Sequence, residues 1–510
     1  MNNQATLTRR DTLLAATALA ALSTLVSEPP ANAQQATPST GGASYTFEHG
    51  FPTKNAAQRA RDDADFQRAM TAYRFWYPTV SAEGIFNGIR EVGIKDNEDM
   101  IIQVTEPHHV MFTPNSDTPY GLAVIDVKEE PYVIEVPPGP FIGLADNHHQ
   151  GWILDMGLPG PAGDKGGKHL IVPPDYKGQV PAGYFTGTST SFKVIAAFRS
   201  LPIGGDVRAA TDGLRRLKIY PLSTAADPKP LRIVDVTDKA VDGTCLRWED
   251  NIQYWQKLHE VIDAEPLVPI FLPMYGELAA LGIEKGKPFA PDARMKVILE
   301  NAAKAGRDQL LVSAFDSHRP DRLAWPDRKW EWAGLVPGSA QFETKSGVDL
   351  EARDRWFAQA IVTSPAMFRR TVGAGSLYWL GNRDASGAFV EGGKTYKLTV
   401  PLPVPGNLFW SVTIYDATTR SEVQTAQKKA ALRSLFELKE TGNAKSVDLY
   451  FGPQAPAGQE GRWIQTTPGK SWFAYFRIYG PQGPAFDGSW KPGDFEEAQV
   501  SSGSGTVGRQ

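Results

Sequence analysis

The stretch Phe112-Thr-Pro-Asn-Ser-Asp-Thr-Pro-Tyr-Gly121 sets Asn115, Asp117, Thr118 and Tyr120 in one short segment between and beside two prolines. Opened into a cleft, Asp117 has the chemistry of a general base or metal ligand and Tyr120 that of a hydrogen-bond donor. Asn115 and Thr118 would then hold the ligand. The same composition also builds a plain turn, because Asn and Asp side chains bond their own backbone and Pro fixes φ. Both readings stay open. Asp146 is a second candidate catalytic carboxylate. Two adjacent histidine pairs, His108-His109 and His148-His149, stand out among the eight histidines. Neighbours on a strand point to opposite faces, so each pair offers at most one inward ligand. His109 and His149 with Asp117 or Asp146 would make a two-histidine, one-carboxylate set suited to a divalent metal with open positions. No H-x-H or H-E-x-x-H spacing supports that set, and exposed loop histidines are the plainer reading.

Other chemistries find little support. There is no G-x-S-x-G elbow, and the glycines of Gly163-Asp-Lys-Gly-Gly167 lack the Lys-Ser/Thr of a phosphate loop. Cys245 is the only cysteine, so no disulfide forms within the chain. Trp330 and Trp332 lie with Trp325 in a Pro- and charge-rich connector. They are read as a cleft wall for a glycan or aromatic ligand, or as a domain interface. Trp410 and Trp472 read as core, while the alternation in Tyr475–Tyr479 fits a ligand cleft and a sandwich core equally. Arg199 and Arg477 are expected to form semi-buried ion pairs with Asp146 and Asp416.

The elements that must position these residues begin after a segment that reads as an export signal. Thr8-Arg9-Arg10-Asp11-Thr12-Leu13-Leu14 is a twin-arginine pattern, an apolar run follows from Leu13 to Val26, and Ala31-Asn32-Ala33 is a small-x-small cleavage site. This makes residues 1–33 a leader and the destination periplasmic or secreted. No later run is long and apolar enough to cross a membrane. A net charge of −4 over 510 residues argues against a nucleic-acid partner. Residues 34–54 read as a flexible linker, 55–101 as a helical segment and 496–510 as a disordered tail. Ala56 to about Trp76 has helical spacing. Between 102 and 222, short β-rich runs separated by Pro/Gly turns predict an antiparallel sandwich. Residues 223–375 read as helical, with helices over 249–262, 293–312 and 350–363. A second sandwich is predicted over 376–495.

The two β regions resemble each other. Tyr132-Val-Ile-Glu-Val-Pro137 parallels Tyr396-Lys-Leu-Thr-Val-Pro401, and each is followed by Pro-Gly and an apolar strand ending in Asp146 or Asp416. The segment from His169 parallels that from Val447. Each region closes on an aromatic strand ending in Arg199 or Arg477. Four matches in one order predict a duplicated sandwich.

Pro114-Asn-Ser-Asp-Thr-Pro-Tyr120, Tyr132…Val-Pro-Pro138, Asp146, and Gly163…Gly167…Pro173-Pro174…Gly178 together resemble domain of unknown function 1254. Leu408-Phe-Trp-Ser-Val-Thr-Ile-Tyr-Asp416, Arg477 and Asp487-Gly-Ser-Trp-Lys-Pro492 resemble its usual partner, domain of unknown function 1214. The resemblance implies a fold that is mainly β with helical segments: an N-terminal immunoglobulin-like sandwich, a helical middle and a C-terminal jelly-roll-like sandwich. It implies no activity. The expected function is that of an enzyme acting on a small organic molecule, by hydrolysis or oxidation with a divalent metal, where the N-terminal sandwich meets the helices. The alternative is a non-catalytic ligand- or glycan-binding envelope protein.

Overall fold

The structure is a computed structural model that describes residues 44–373, 375–439 and 444–498. The expected leader lies outside them. The chain divides into two compact units, Met1–Ala60 and Arg61–Gln510. In the first, Phe47–Glu48 pairs with Phe51–Pro52 ahead of helix Lys54–Glu91, where a flexible linker was expected.

The second unit is mainly β with helices. Its N-terminal sandwich has a six-stranded sheet in the spatial order 232–235, 99–103, 120–126, 193–200, 141–147, 152–157. The facing four-stranded sheet runs 218–221, 132–136, 167–172, 185–188. The C-terminal sandwich pairs a five-stranded sheet (331–332, 376–381, 472–481, 406–416, 431–433) with a four-stranded one (463–465, 446–452, 396–401, 496–497). Glu496–Glu497 therefore belong to a sheet, not to a tail; they pair with Tyr396 and Lys397.

The duplication is plain in this topology. Strands 120–126, 193–200, 141–147 and 152–157 hold the places that 376–381, 472–481, 406–416 and 431–433 hold in the other sandwich. Strands 132–136, 167–172 and 185–188 correspond to 396–401, 446–452 and 463–465, and in each set the last pair is parallel. Period-2 alternation gives each large sheet two faces. Val194, Ala196 and Phe198 enter one sandwich core, as Ala474, Phe476 and Ile478 enter the other. The opposite faces carry Ile195 on one sheet and Phe473 and Tyr475 on the other, and both are covered by helices.

Helix Lys54–Glu91 is the main cover. Its Tyr73, Trp76 and Tyr77 pack with Trp255, Leu299 and Trp356 against Tyr415, Phe473 and Tyr475 of the C-terminal sheet. Its Ile85, Phe86 and Ile89 lie on Leu122, Val124 and Ile195 of the N-terminal sheet. The sequence pattern stops the helix near Trp76, but the helix continues through Pro78. Proline lacks the N–H that would bond the Arg74 carbonyl four residues back. Arg353 replaces the lost donor: its Nη1 donates to the Arg74 carbonyl at 3.2 Å and its Nη2 to that of Phe75 at 2.6 Å. Gly84 and Gly88 let the helix approach the 242–245 segment; a Cβ on Gly88 would meet the Asp242 carbonyl oxygen at 2.0 Å. The later helices start on side-chain caps, with Asn251, Asp292 and Asp349 accepting from Gln253, Met295 and Ala352 backbone N–H groups. Helix Leu350–Gln359 ends four residues before Thr363.

Candidate functional site

The two covered sheet faces present the same pair of residues. In the N-terminal sheet Arg199 stands opposite Tyr120, and in the C-terminal sheet Arg477 stands opposite Tyr378. Both pairs line one cavity of about 500 Å³. Its apolar wall includes Leu122, Ile142 and Ile195 from the first sandwich, Ile85 from the long helix and Ile361 and Val362 from the connection after helix Leu350–Gln359. The cavity thus lies between both sandwiches and the helices, with the N-terminal region supplying most of the wall and the C-terminal sandwich adding Tyr378, Leu408, Tyr475, Arg477 and Tyr479.

Its polar end is rich in donors. Arg477 is 2% exposed, and its guanidinium carbon lies 5.0 Å from the Tyr475 ring centre and 5.7 Å from that of Tyr378. Its Nη2 donates to the Thr113 carbonyl at 3.1 Å, while Nε and Nη1 find no acceptor among the described residues. Arg199 donates from Nη1 to the Tyr479 hydroxyl at 3.3 Å. Tyr479 in turn donates to Asp117 Oδ2 at 3.0 Å, and Ser411 donates to the same oxygen at 2.8 Å. The Tyr120 hydroxyl accepts from Asn115 Nδ2 at 2.8 Å, and no described residue takes its own proton. Burial raises the pKa of Tyr120 and, with the Asp117 charge, that of Tyr479, so both phenols stay protonated near neutrality.

The stretch 112–121 is both a turn and a clasp. Asn115 Oδ1 accepts from the Asp117 backbone N–H at 3.1 Å, an Asx turn as composition predicts. The turn is then bonded along its length to the C-terminal sandwich. The Thr113 N–H donates to the Arg420 carbonyl at 2.8 Å, Tyr415 to the Pro114 carbonyl at 2.5 Å and Ser116 to Glu422 Oε1 at 2.6 Å. Arg433 donates to the Ser116 carbonyl at 2.6 Å. Arg420 itself is fixed by a buried pair with Glu249, at 2.6 Å and 3.1 Å, to which Tyr77 also donates. The turn therefore carries Asn115 and Tyr120 to the cavity wall and keeps Asp117, 1% exposed, behind Tyr479. Thr118 is buried, and its hydroxyl has no partner among the described residues.

The remaining candidates lie elsewhere. Asp146 is fully buried, and its Oδ2 accepts from the Thr363 N–H at 2.7 Å. Burial raises its pKa well above the carboxylate range; it ties the 361–364 connection to the sheet. It does not pair with Arg199, nor Asp416 with Arg477, as expected from sequence; Asp416 bonds Lys470 at 3.0 Å. Strand register turns both arginines towards the cavity instead. His109 Nδ1 accepts from the Glu106 N–H at 3.0 Å, and burial lowers its pKa. His149 bonds Thr79 at 2.9 Å and packs edge-on against Trp76; burial, then the charge on His148, lowers its pKa to about 3. Its neighbour His148 sits against Glu265 at 2.9 Å and Glu83 at 3.3 Å. Both pairs lie in turns; His109, His148 and His149 are buried there, while the His108 side chain is 40% exposed. Among the described residues no group of three or more His, Cys, Asp or Glu side chains is placed to hold a metal ion. Trp330 is sandwich core, 1% exposed, its indole N–H on the Gly493 carbonyl. Trp332 is covered by the Arg370 guanidinium, 3.9 Å from its ring centre. Neither offers a free stacking face.

Sequence reasoning singled out Arg199 and Arg477 only as ion-pair partners and passed over Tyr378, Tyr479 and Ser411. The signal was present in the repeat: aligning the two sandwiches places each arginine at the end of the same aromatic strand.

Residues 98–221 match a family described as protein of unknown function (DUF1254), and residues 375–483 match one described as protein of unknown function (DUF1214). Each matched segment contains one copy of the repeated strand order. A search of curated proteins finds no match. Among solved structures, the chain is similar to the VPA0106 protein of Vibrio parahaemolyticus, at 16% identity and a TM-score of 0.53, over 85% of this chain and 100% of that one. It is also similar to an uncharacterised protein of Burkholderia cenocepacia, at 12% identity and a TM-score of 0.40, over 88% and 98%. Among the described residues no helix is long and apolar enough to cross a membrane.

Proposed function

We propose that this chain, which carries the domains of unknown function 1254 and 1214, binds a small organic molecule in the cavity between its two sandwiches. Small-molecule sites are concave and mostly apolar, hold a few converging polar groups and favour domain interfaces. A volume of about 500 Å³, an aliphatic wall and one polar end fit that description. The observation that carries the reading is the pair Arg199 and Arg477: two guanidinium groups, one from each sandwich, in one cavity wall, with no carboxylate bonded to either among the described residues. Leaving them without a bonded anion is costly in a dry interior, and a ligand's oxygen removes that cost.

Catalysis is a second reading, favoured by the Tyr479–Asp117 pair. A cavity-lining phenol bonded to a buried carboxylate can pass a proton between ligand and Asp117, which would make the protein an enzyme on the same small molecule. Residues 1–33 are proposed to act as a twin-arginine export leader. Cells producing the full chain should then yield a periplasmic protein whose mass begins near residue 34; an intact N-terminus in the cytoplasm would refute this.

Ligand-detected NMR with a panel of small organic acids, amides and alcohols tests the main reading. Several are expected to show saturation transfer with the wild type and none with Ala197→Trp, which fills the cavity from the helix-covered face of strand 193–200. Leu408→Trp, from the C-terminal side, should act alike. Binding by wild type and by both filled variants to the same extent would place the ligand elsewhere.

A further inference from the structure

We infer that the ligand of this cavity carries a carboxylate, shared between Arg477 of one sandwich and Arg199 of the other, with an apolar body reaching along the aliphatic wall. The inference rests on the small-molecule reading above and names its ligand class.

Three observations converge on it. First, the polar end offers donors and little that accepts. Half-buried Arg199 lines the cavity and spends one N–H on the Tyr479 hydroxyl, Arg477 lies beside it, and Tyr120 has a hydroxyl proton that no described residue takes. Tyr479 already gives its proton to Asp117. A ligand group that only accepts suits this end, and an amide or alcohol, which must also donate, does not. Second, charge is uneven. Arg199 and Arg477 both face the cavity, and Asp117 acts on Arg477 through Tyr479 and Ser411 from behind the wall. The strongest neighbours of Arg199 are the phenols of Tyr479, Tyr378 and Tyr120. Glu422 also acts on Arg477, whereas Arg199 has no carboxylate partner among the described residues, so Arg199 is the cation at this end that a ligand's charge balances. Third, the two arginines occupy equivalent register positions, each opposite a tyrosine, on sheets that meet at the cavity. A planar anion between them takes hydrogen bonds from both sandwiches at once, and guanidinium–carboxylate geometry favours that planar partner.

The two arginines share Tyr378 and Tyr479 as neighbours and so lie at one place on the wall, and Leu122, Ile142, Ile195, Ile361 and Val362 give that wall an aliphatic stretch. The geometry therefore favours one anionic head over two, which selects monocarboxylates with an apolar body above short dicarboxylates.

Titration calorimetry with three probes of one shape decides the point: 4-phenylbutyrate, 4-phenylbutyramide and 4-phenylbutanol. The wild type is expected to bind the carboxylate at least 30-fold more tightly than the amide or alcohol, at a pH above the ligand's own pKa. Arg477→Gln should remove that preference and leave the weak binding of the neutral probes in place. Arg477→Lys should keep part of it, since the charge stays and the fork is lost. Arg199→Gln, whose side chain is less buried, should cost about 10-fold and guards against misfolding of the Arg477 variants. Equal affinity for all three probes, abolished by Ala197→Trp, would overturn the carboxylate and leave the small-molecule site standing. Absence of binding by every probe would overturn both. A carboxylate preference that survives Arg477→Gln and Arg199→Gln would show that the anion sits elsewhere.

Discussion

At the residue scale, Asp117 and Glu422 show how burial changes what a carboxylate does. Asp117 takes hydrogen bonds from Ser411 and Tyr479 across the junction of the sandwiches. Asp117→Ala leaves both donors unpaired next to Arg477, and the expected loss is about 3 kcal/mol, read as a lower midpoint in urea unfolding. Asp117→Asn, of the same shape, should lose clearly less. Glu422 ordinarily would titrate near 4.5, but burial raises it to about 7. The folded chain then holds a proton that the unfolded chain releases, so stability falls as pH rises from about 4.5 to about 7. Glu422→Gln should flatten that slope, worth on the order of 2 kcal/mol, in thermal unfolding followed across the same window. The sequence made Asn115, Asp117 and Tyr120 legible as a group because turn chemistry is local. It could not separate Tyr120, on the cavity wall, from Asp117 behind it, because that depends on Tyr479, 362 positions away.

At the element scale, helix Lys54–Glu91 illustrates what a local pattern cannot carry. Its apolar spacing was visible up to Trp76, and Pro78 should have ended it. The helix survives because Arg353, on another helix, caps the carbonyls that Pro78 orphans. Arg353→Ala should therefore cost about 2 kcal/mol, measured by chemical unfolding, while Arg353→Lys, with no fork to reach both carbonyls, should recover less than half. Strand register shows the opposite case. The repeat was readable from ordered matches such as Tyr132–Pro137 and Tyr396–Pro401, since duplicated sandwiches keep their turn residues. The facing of the strands was not: Tyr475–Tyr479 alternates between Phe476 and Ile478 in the sandwich core and Arg477 and Tyr479 at the cavity. Both faces are buried, so no polar–apolar alternation marks which one meets the site.

At the scale of the whole molecule, the clasp at 112–121 makes the sandwiches interdependent, with the Arg420–Glu249 pair beneath it. Calorimetry should show a single unfolding transition for the wild type, and Asp117→Ala should divide it into two. The ligand site depends on the same junction, since neither sandwich alone supplies both Arg199 and Arg477. His109 and His149 are metal-ligand candidates and Trp330 a cleft-wall candidate in the sequence because residue type carries chemistry but not burial. Three dimensions show His109, His149 and Trp330 inside the structure, where tertiary bonds explain them. The most direct measurement is a crystal structure of the protein soaked with 4-phenylbutyrate. The account predicts density in the cavity of about 500 Å³, with the carboxylate within hydrogen-bond distance of the Arg199 and Arg477 guanidinium groups. An empty cavity at saturating ligand, or a ligand bound only outside it, would contradict the account.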